Sequence, residues 1–211
     1  MLAMDAAVWA MELVLFILPA YFANSIPVLL GGGAPIDGGR KWKDGQRLFG
    51  DGKTVRGFFA GVAAGVFVGA LEGMLLPGTA WDIYGSALAG GNAAGGALAG
   101  SGALAGIAAG GAAGLGIGAT YVLAGLLLGC GAMAGDLLGS FIKRRQGLSR
   151  GKPSLAMDQL LFLALALVFA FPLARGLLTP EAALFLAVLT YFVHVGANVV
   201  ANRLGLKKVP W

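Results

Sequence analysis

The chain has 211 residues, of which 58% are hydrophobic and 12% charged, and its mean hydropathy is +0.82. Soluble domains carry about 25% charged residues, so this composition excludes an ordinary water-soluble enzyme. It accommodates a handful of membrane spans of about 20 residues each, with no separate soluble domain. The net charge of +5 then marks cytoplasmic loops and anionic ligands, not nucleic acid.

Asp5 and Glu12, instead of a basic leader, accompany the first apolar run. That argues against a cleaved signal peptide. The first span is expected at about 8–30 and contains Asn24 and Pro27; a proline there frees a backbone carbonyl and can kink the helix. A glycine-rich charged loop follows from Gly31 to Arg56, then a second span at about 57–76 closed by Pro77 and Gly78. From Gly85 to Gly118 the chain holds 13 Gly and 12 Ala and no charge. Glycine costs about 1 kcal/mol per residue relative to alanine in a helix, and a helix here could form only by small-residue packing against neighbours. This stretch is therefore a low-complexity extracytoplasmic loop, a re-entrant segment or an extra helix; the charge count below decides against the helix.

The third span is expected at about 115–138 and carries Cys130, the only cysteine. No intramolecular disulfide can form, and Cys130 reads as a small packing residue. A basic loop runs from Ser140 to Asp158, with spans at about 159–178 and 180–204 on either side of Pro180. In the last span Tyr191, His194, Asn198 and Asn202 fall on one helical face; they read as a stripe that hydrogen-bonds to neighbouring helices. The tail carries Lys207 and Lys208.

Fourteen of the 15 basic residues lie in 31–56, in 140–158 or at Arg203, Lys207 and Lys208, leaving only Arg175. The positive-inside rule places all three segments in the cytoplasm. Each pair must be separated by an even number of spans. The expectation is therefore an all-α, polytopic membrane protein with five transmembrane helices, N-terminus outside and C-terminus inside.

The first loop reads G-G-R-K-W-K-D-G-Q-R-L-F-G-D-G-K-T-V-R-G from Gly38 to Gly57. Arg40, Lys41, Lys43, Arg47, Lys53 and Arg56 alternate with Asp37, Asp44 and Asp51. Glycines let backbone N–H groups approach an anion, so the loop is either a solvated topology signal or a phosphate cradle. It is not a P-loop: Arg47 occupies the place of the first glycine and no strand precedes it.

In the second charged region Asp136 lies at the end of the third span, in G-D-L-L-G-S-F-I-K-R-R, and Asp158 opens the fourth. An ionisable residue at membrane depth is a functional candidate by default. Two carboxylates on one membrane edge can share Mg²⁺, which favours one or two carboxylates plus substrate phosphates. Lys143, Arg144, Arg145, Arg150 and Lys152 surround them. Snorkelling cations, with Asp158 as a helix cap, are the plainer alternative. A lipid acyltransferase and a small anion transporter are the competing function classes, although the charge is gathered at one edge and not at the midplane.

The run from Asp136 through Ser140, Lys143 and Arg144 to Asp158 is similar to the signature of CTP-dependent phosphatidate cytidylyltransferases. The short layout, the N-S-I-P of Asn24–Pro27 and the D-G-K-T-x-R-G of Asp51–Gly57 resemble the archaeal branch, the CDP-archaeol synthases. The His-Gly-Gly segment of the bacterial form is absent. The resemblance implies CTP and an isoprenoid glycerophosphate lipid as substrates, with membrane lipid around the chain. It implies Asp136 and Asp158 as Mg²⁺ ligands, acting with Lys53, Lys143 and Arg144 in catalysis. It further implies substrate contacts from Asn24, Lys41, Lys43, Asp44, Arg47, Asp51, Gly52, Thr54, Arg56, Ser140, Arg150 and Lys152. A homodimer is compatible with it.

Overall fold

The computed structural model describes residues 2–84, 116–148, 155–203 and 205, with side chains placed for all of these but 2–5, 155–158, 198 and 201. Five α-helices make up this part of the chain: α1 Leu2–Leu30, α2 Val55–Leu75, α3 Ile117–Arg145, α4 Leu155–Ala174 and α5 Pro180–Arg203. Stretches of α1, α2, α3 and α5 are each long and apolar enough to cross a membrane. α4 is a 20-residue helix whose apolar part with placed side chains, Gln159–Ala174, is shorter.

The helices start and stop where local chemistry tells them to. Thr54 caps α2, its Oγ1 accepting the N–H of Gly57. Pro180 opens α5 at the position where its missing N–H costs nothing. α3 contains no proline and runs seven residues past the expected end of its span, so Ser140, Lys143 and Arg144 are helical and not part of a loop. It closes at Gly147, whose φ of +68° and N–H bond to Arg144 O, with Leu148 N–H to Lys143 O, form a Schellman turn. Lys143, Arg144 and Arg145 occupy the last turn, where the helix dipole favours cations. Asp158 is the fourth residue of α4 and not the residue before it, so it is not the helix cap.

Close approach of backbones sets the bundle. α2 presents Gly61, Gly65, Gly69 and Gly73 at four-residue spacing. A methyl group on Gly65 would lie 2.7 Å from Gly125 O and 3.0 Å from Gly129 Cα. On another face of α3, one on Gly131 would lie 2.7 Å from Ala166 Cα, and one on Gly135 2.5 Å from Phe162 Cα, both in α4. In lipid there is little hydrophobic force between helices, and small residues that admit close packing take its place. The contacts also fix direction. Gly61 meets Ala23 and Met133 while Gly73 meets Gly118, so α2 runs antiparallel to α1 and α3. Tyr21 bonds Thr190 (2.8 Å) and Asn24 bonds His194 (3.4 Å), so α1 and α5 are parallel.

The end of α1, the start of α2 and the end of α3 therefore share one end of the bundle. At the opposite end Tyr84 and Tyr121 stack edge-on at 4.7 Å, and Tyr121 Oη accepts the Ile83 N–H at 2.8 Å. The chain thus leaves and re-enters the described structure around the glycine/alanine stretch at the same end, as the charge count requires. The expected loop or re-entrant segment itself lies outside the described residues.

Candidate functional site

The first loop is ordered by one carboxylate. The Asp37 side chain is fully buried and accepts the N–H groups of Gly39 (3.1 Å), Phe49 (3.0 Å) and Gly50 (3.0 Å), plus two guanidinium bonds from Arg47 at 2.6 and 3.3 Å. Gly50 reaches this position with φ at +92°, which an L side chain would resist. The Arg47 guanidinium holds the Asp37 carboxyl well below the usual carboxylate range; burial opposes the shift and the three backbone donors add to it. Arg47 also pairs with Asp51 at 2.7 Å. At the base of the loop Ile36 N–H bonds Lys53 O, Val55 N–H bonds Ala34 O, and Gly32 N–H bonds Thr54 Oγ1. Arg56 donates to the carbonyls of Leu30 and Gly31.

Two ion pairs fasten this loop to α3. Lys53 Nζ lies 2.6 and 2.5 Å from the two carboxylate oxygens of Asp136. At the other end of the loop Arg145 pairs through Nε with Asp44 at 2.7 Å and donates Nη2 to Arg47 O at 2.6 Å. Its guanidinium lies 4.7 Å over the Phe141 ring, which also meets Trp42 and Phe49. Between the two fastenings opens a cavity of about 300 Å³, lined by Gln46, Arg47, Phe49, Gly50, Asp51, Gly52, Lys53, Ser140, Lys143 and Arg144.

Of the sequence candidates, the structure thus brings Arg47, Asp51, Gly52, Lys53, Ser140, Lys143 and Arg144 to one cavity, with Asp136 held by Lys53 at its edge. It does not bring the others there. Asn24 is bonded to His194 between α1 and α5. Thr54 and Arg56 serve the junction of α1 and α2, Asp44 is engaged by Arg145, and exposed Lys41 and Lys43 stand outside the lining. Arg150, Lys152 and the Asp158 side chain lie outside the described residues. Sequence reasoning missed Asp37, whose only signal is the Asp-Gly-Gly run of an Asx turn. It also missed that Arg145, grouped with the other cations, turns back to the first loop.

The cavity is a predominantly cationic cleft, with Asp51 on its wall, paired to Arg47, and Asp136 at its margin. The family described as CarS-like, CDP-archaeol synthase, matches the chain over residues 7–117 and 115–211. The chain belongs to the CDP-archaeol synthase family. The CDP-archaeol synthase of Thermococcus gammatolerans is 45% identical over 209 residues, 99% of both chains. That of Methanococcus aeolicus is 38% identical, over 93% of this chain and 94% of the relative. A solved structure of an intramembrane enzyme for archaeal membrane lipid biosynthesis superposes with a TM-score of 0.63 at 33% identity, covering 88% of this chain and 92% of that one. The all-helical membrane architecture and the family expected from the motifs are both borne out.

Proposed function

We propose that the cleft between the first loop and α3 binds the triphosphate of CTP, and that the charged end of the bundle faces the cytoplasm. A chain of this family is a CTP-dependent nucleotidyltransferase. It transfers CMP from CTP to 2,3-di-O-geranylgeranylglyceryl phosphate, giving CDP-archaeol and pyrophosphate. An oxygen of the lipid phosphate forms a bond to the α-phosphorus of CTP as the bond from that phosphorus to the bridging oxygen of the β-phosphate breaks. The electron pair leaves on pyrophosphate. A phosphate monoester has a second pKa of about 6 and is largely dianionic at neutral pH, so the attacking oxygen needs no general base.

What remains for the protein is positioning and neutralisation of negative charge. Lys53, Lys143 and Arg144 supply it from two sides of the cleft, Arg144 with a fork that lysine cannot copy. The Gly50–Gly52 backbone permits close approach of phosphate, and the buried Ser140 is among the lining residues. Asp136 fits a divalent cation in one respect: both its oxygens already engage an ammonium group. The described residues contain no group of three or more His, Cys, Asp or Glu side chains able to hold a metal. Most ligands would then come from substrate phosphates, which is how Mg²⁺ is commonly bound. Asp136, with Asp158, would hold Mg²⁺, which when bound neutralises phosphate charge.

The observation that carries this reading is the Lys53–Asp136 pair, which joins residues 83 positions apart at the mouth of the cationic cleft. The test is pyrophosphate release from CTP by the purified enzyme with lipid phosphate and Mg²⁺ in detergent. Asp136→Asn and Lys53→Ala should each lower turnover at least about a hundredfold, since each removes a charged contact and strands its partner. Wild-type turnover in both would remove the cleft from the reaction.

A further inference from the structure

The Lys53 fastening lies beside the proposed chemistry; the Arg145 fastening does not. Arg145 is the last residue of α3 and does not line the cavity. Its side chain, 19% exposed, reaches the Asp44 carboxylate and the Arg47 carbonyl of the loop from over the ring of Phe141 in its own helix. Arg47 is in turn the residue whose side chain organises Asp37 and Asp51. A chain of contacts thus runs from the rigid end of α3, through the backbone of Arg47, to Asp37 and the N–H groups of Phe49 and Gly50 on the cavity wall.

We infer that Arg145 is a positioning residue for the nucleotide: it holds the tip of the first loop against α3, so that residues 47–53 face Lys143 and Arg144 before CTP arrives. This rests on the reading that the cleft is the CTP site. The loop is pinned at its base by backbone bonds to the α1–α2 junction. Without the tip contact, the wall is held to α3 only by Lys53 on Asp136 and by Trp42 and Phe49 against the Phe141 ring, and it can shift away from Lys143 and Arg144 while every contacting group remains intact. A binding-competent arrangement populated one-tenth of the time weakens apparent affinity about tenfold. The signature is therefore a rise in KM for CTP, with the rate at saturating CTP preserved.

Steady-state kinetics of the full-length enzyme in detergent test this. Arg145→Ala should raise KM for CTP about tenfold or more, leave kcat within about twofold, and leave KM for the lipid phosphate unchanged. Arg145→Lys and Asp44→Asn each keep part of the fastening and should fall between wild type and alanine. The double variant Asp44→Asn/Arg145→Ala should be no worse than Arg145→Ala alone, because the two residues act through one contact. If Arg145→Ala fails to purify as a folded protein, the milder pair reads the same split. An unchanged KM for CTP in Arg145→Ala, or in both milder variants, overturns the inference, as does a fall in kcat with KM intact. Lys53→Ala run alongside separates the two levels. If it too is silent, the cleft reading fails; if it is inactive while Arg145→Ala is silent, only the positioning role fails.

Discussion

The glycine seam and the first loop hold their parts in place by opposite means. In the seam α3 lies between α2 and α4, and at Gly65, Gly69, Gly125, Gly131 and Gly135 the closest contacts are backbone against backbone. In the loop scattered backbone turns and two isolated bridges take the place of regular structure, and one buried carboxylate gathers five donors. The reason lies in the surroundings. Inside lipid, shape is what two helices can offer each other. At the polar end a charged group can be buried because it is fully hydrogen-bonded. The seam tolerates no added volume, and the loop tolerates no lost charge.

That contrast can be broken most severely in the seam. Gly135→Leu forces a branched side chain into the Phe162 backbone, and overpacking commonly costs 1–3 kcal/mol or more. With no flexible neighbour to yield, we expect loss of folded, monodisperse protein by size exclusion in detergent. A normal elution profile and melting temperature would show that α3 and α4 are not locked as described. Asp37→Asn comes next. It removes the buried charge that pairs with Arg47 and leaves the guanidinium only its exposed partner Asp51, while leaving every helix contact in place. Catalytic efficiency should fall about tenfold to a hundredfold with the melting temperature of the bundle little changed; equal losses in both would merge the two regions into one cooperative unit.

A pH titration sharpens the same point with a smaller effect. The Asp37 pKa is lowered in the folded chain, so its contribution is fully present above the ordinary carboxylate value of about 4 and is lost as pH falls through the lowered value. Hydrogen-exchange protection of the Phe49 and Gly50 amides should stay level from pH 8 to pH 5 and decline only in stronger acid. A decline centred near pH 6 would mean that another group orders the loop. The smallest effect is expected at Arg175, which lies on the Phe171 ring at the opposite end of the bundle. Arg175→Ala should leave kcat and KM within about twofold, and a larger change would tie that end to the site.

Much of the fold was legible because apolar length and basic charge act over whole segments. The five helices and their grouping of charged ends follow from counting. What counting misses is where one helix stops. α3 continues through Ser140 to Arg145 because the basic residues that end an apolar run are also good helix formers at a favourable dipole end. At the site, Lys53, Asp136, Lys143 and Arg144 stood out because charges near a membrane edge have few uses. Asp37 and Arg145 did not, because their importance lies in what they bond to. Nothing in sequence spacing tells a cation that faces a substrate from one that faces its own backbone.

The closed base of the first loop has a consequence for assembly. The loop begins and ends at one point: Ala34 and Ile36 bond across to Val55 and Lys53, while Arg56 satisfies the terminal carbonyls of α1. Topologically it is an excursion from a helical hairpin that is already complete without it. α1 and α2 can therefore enter the bilayer and meet as a pair while the intervening stretch is still unstructured. Asp37 sets the loop's internal shape, and Asp136 and Arg145 of α3 set where it stands against the bundle. The cavity, lined from both the loop and α3, is thereby complete only when the third helix is in place.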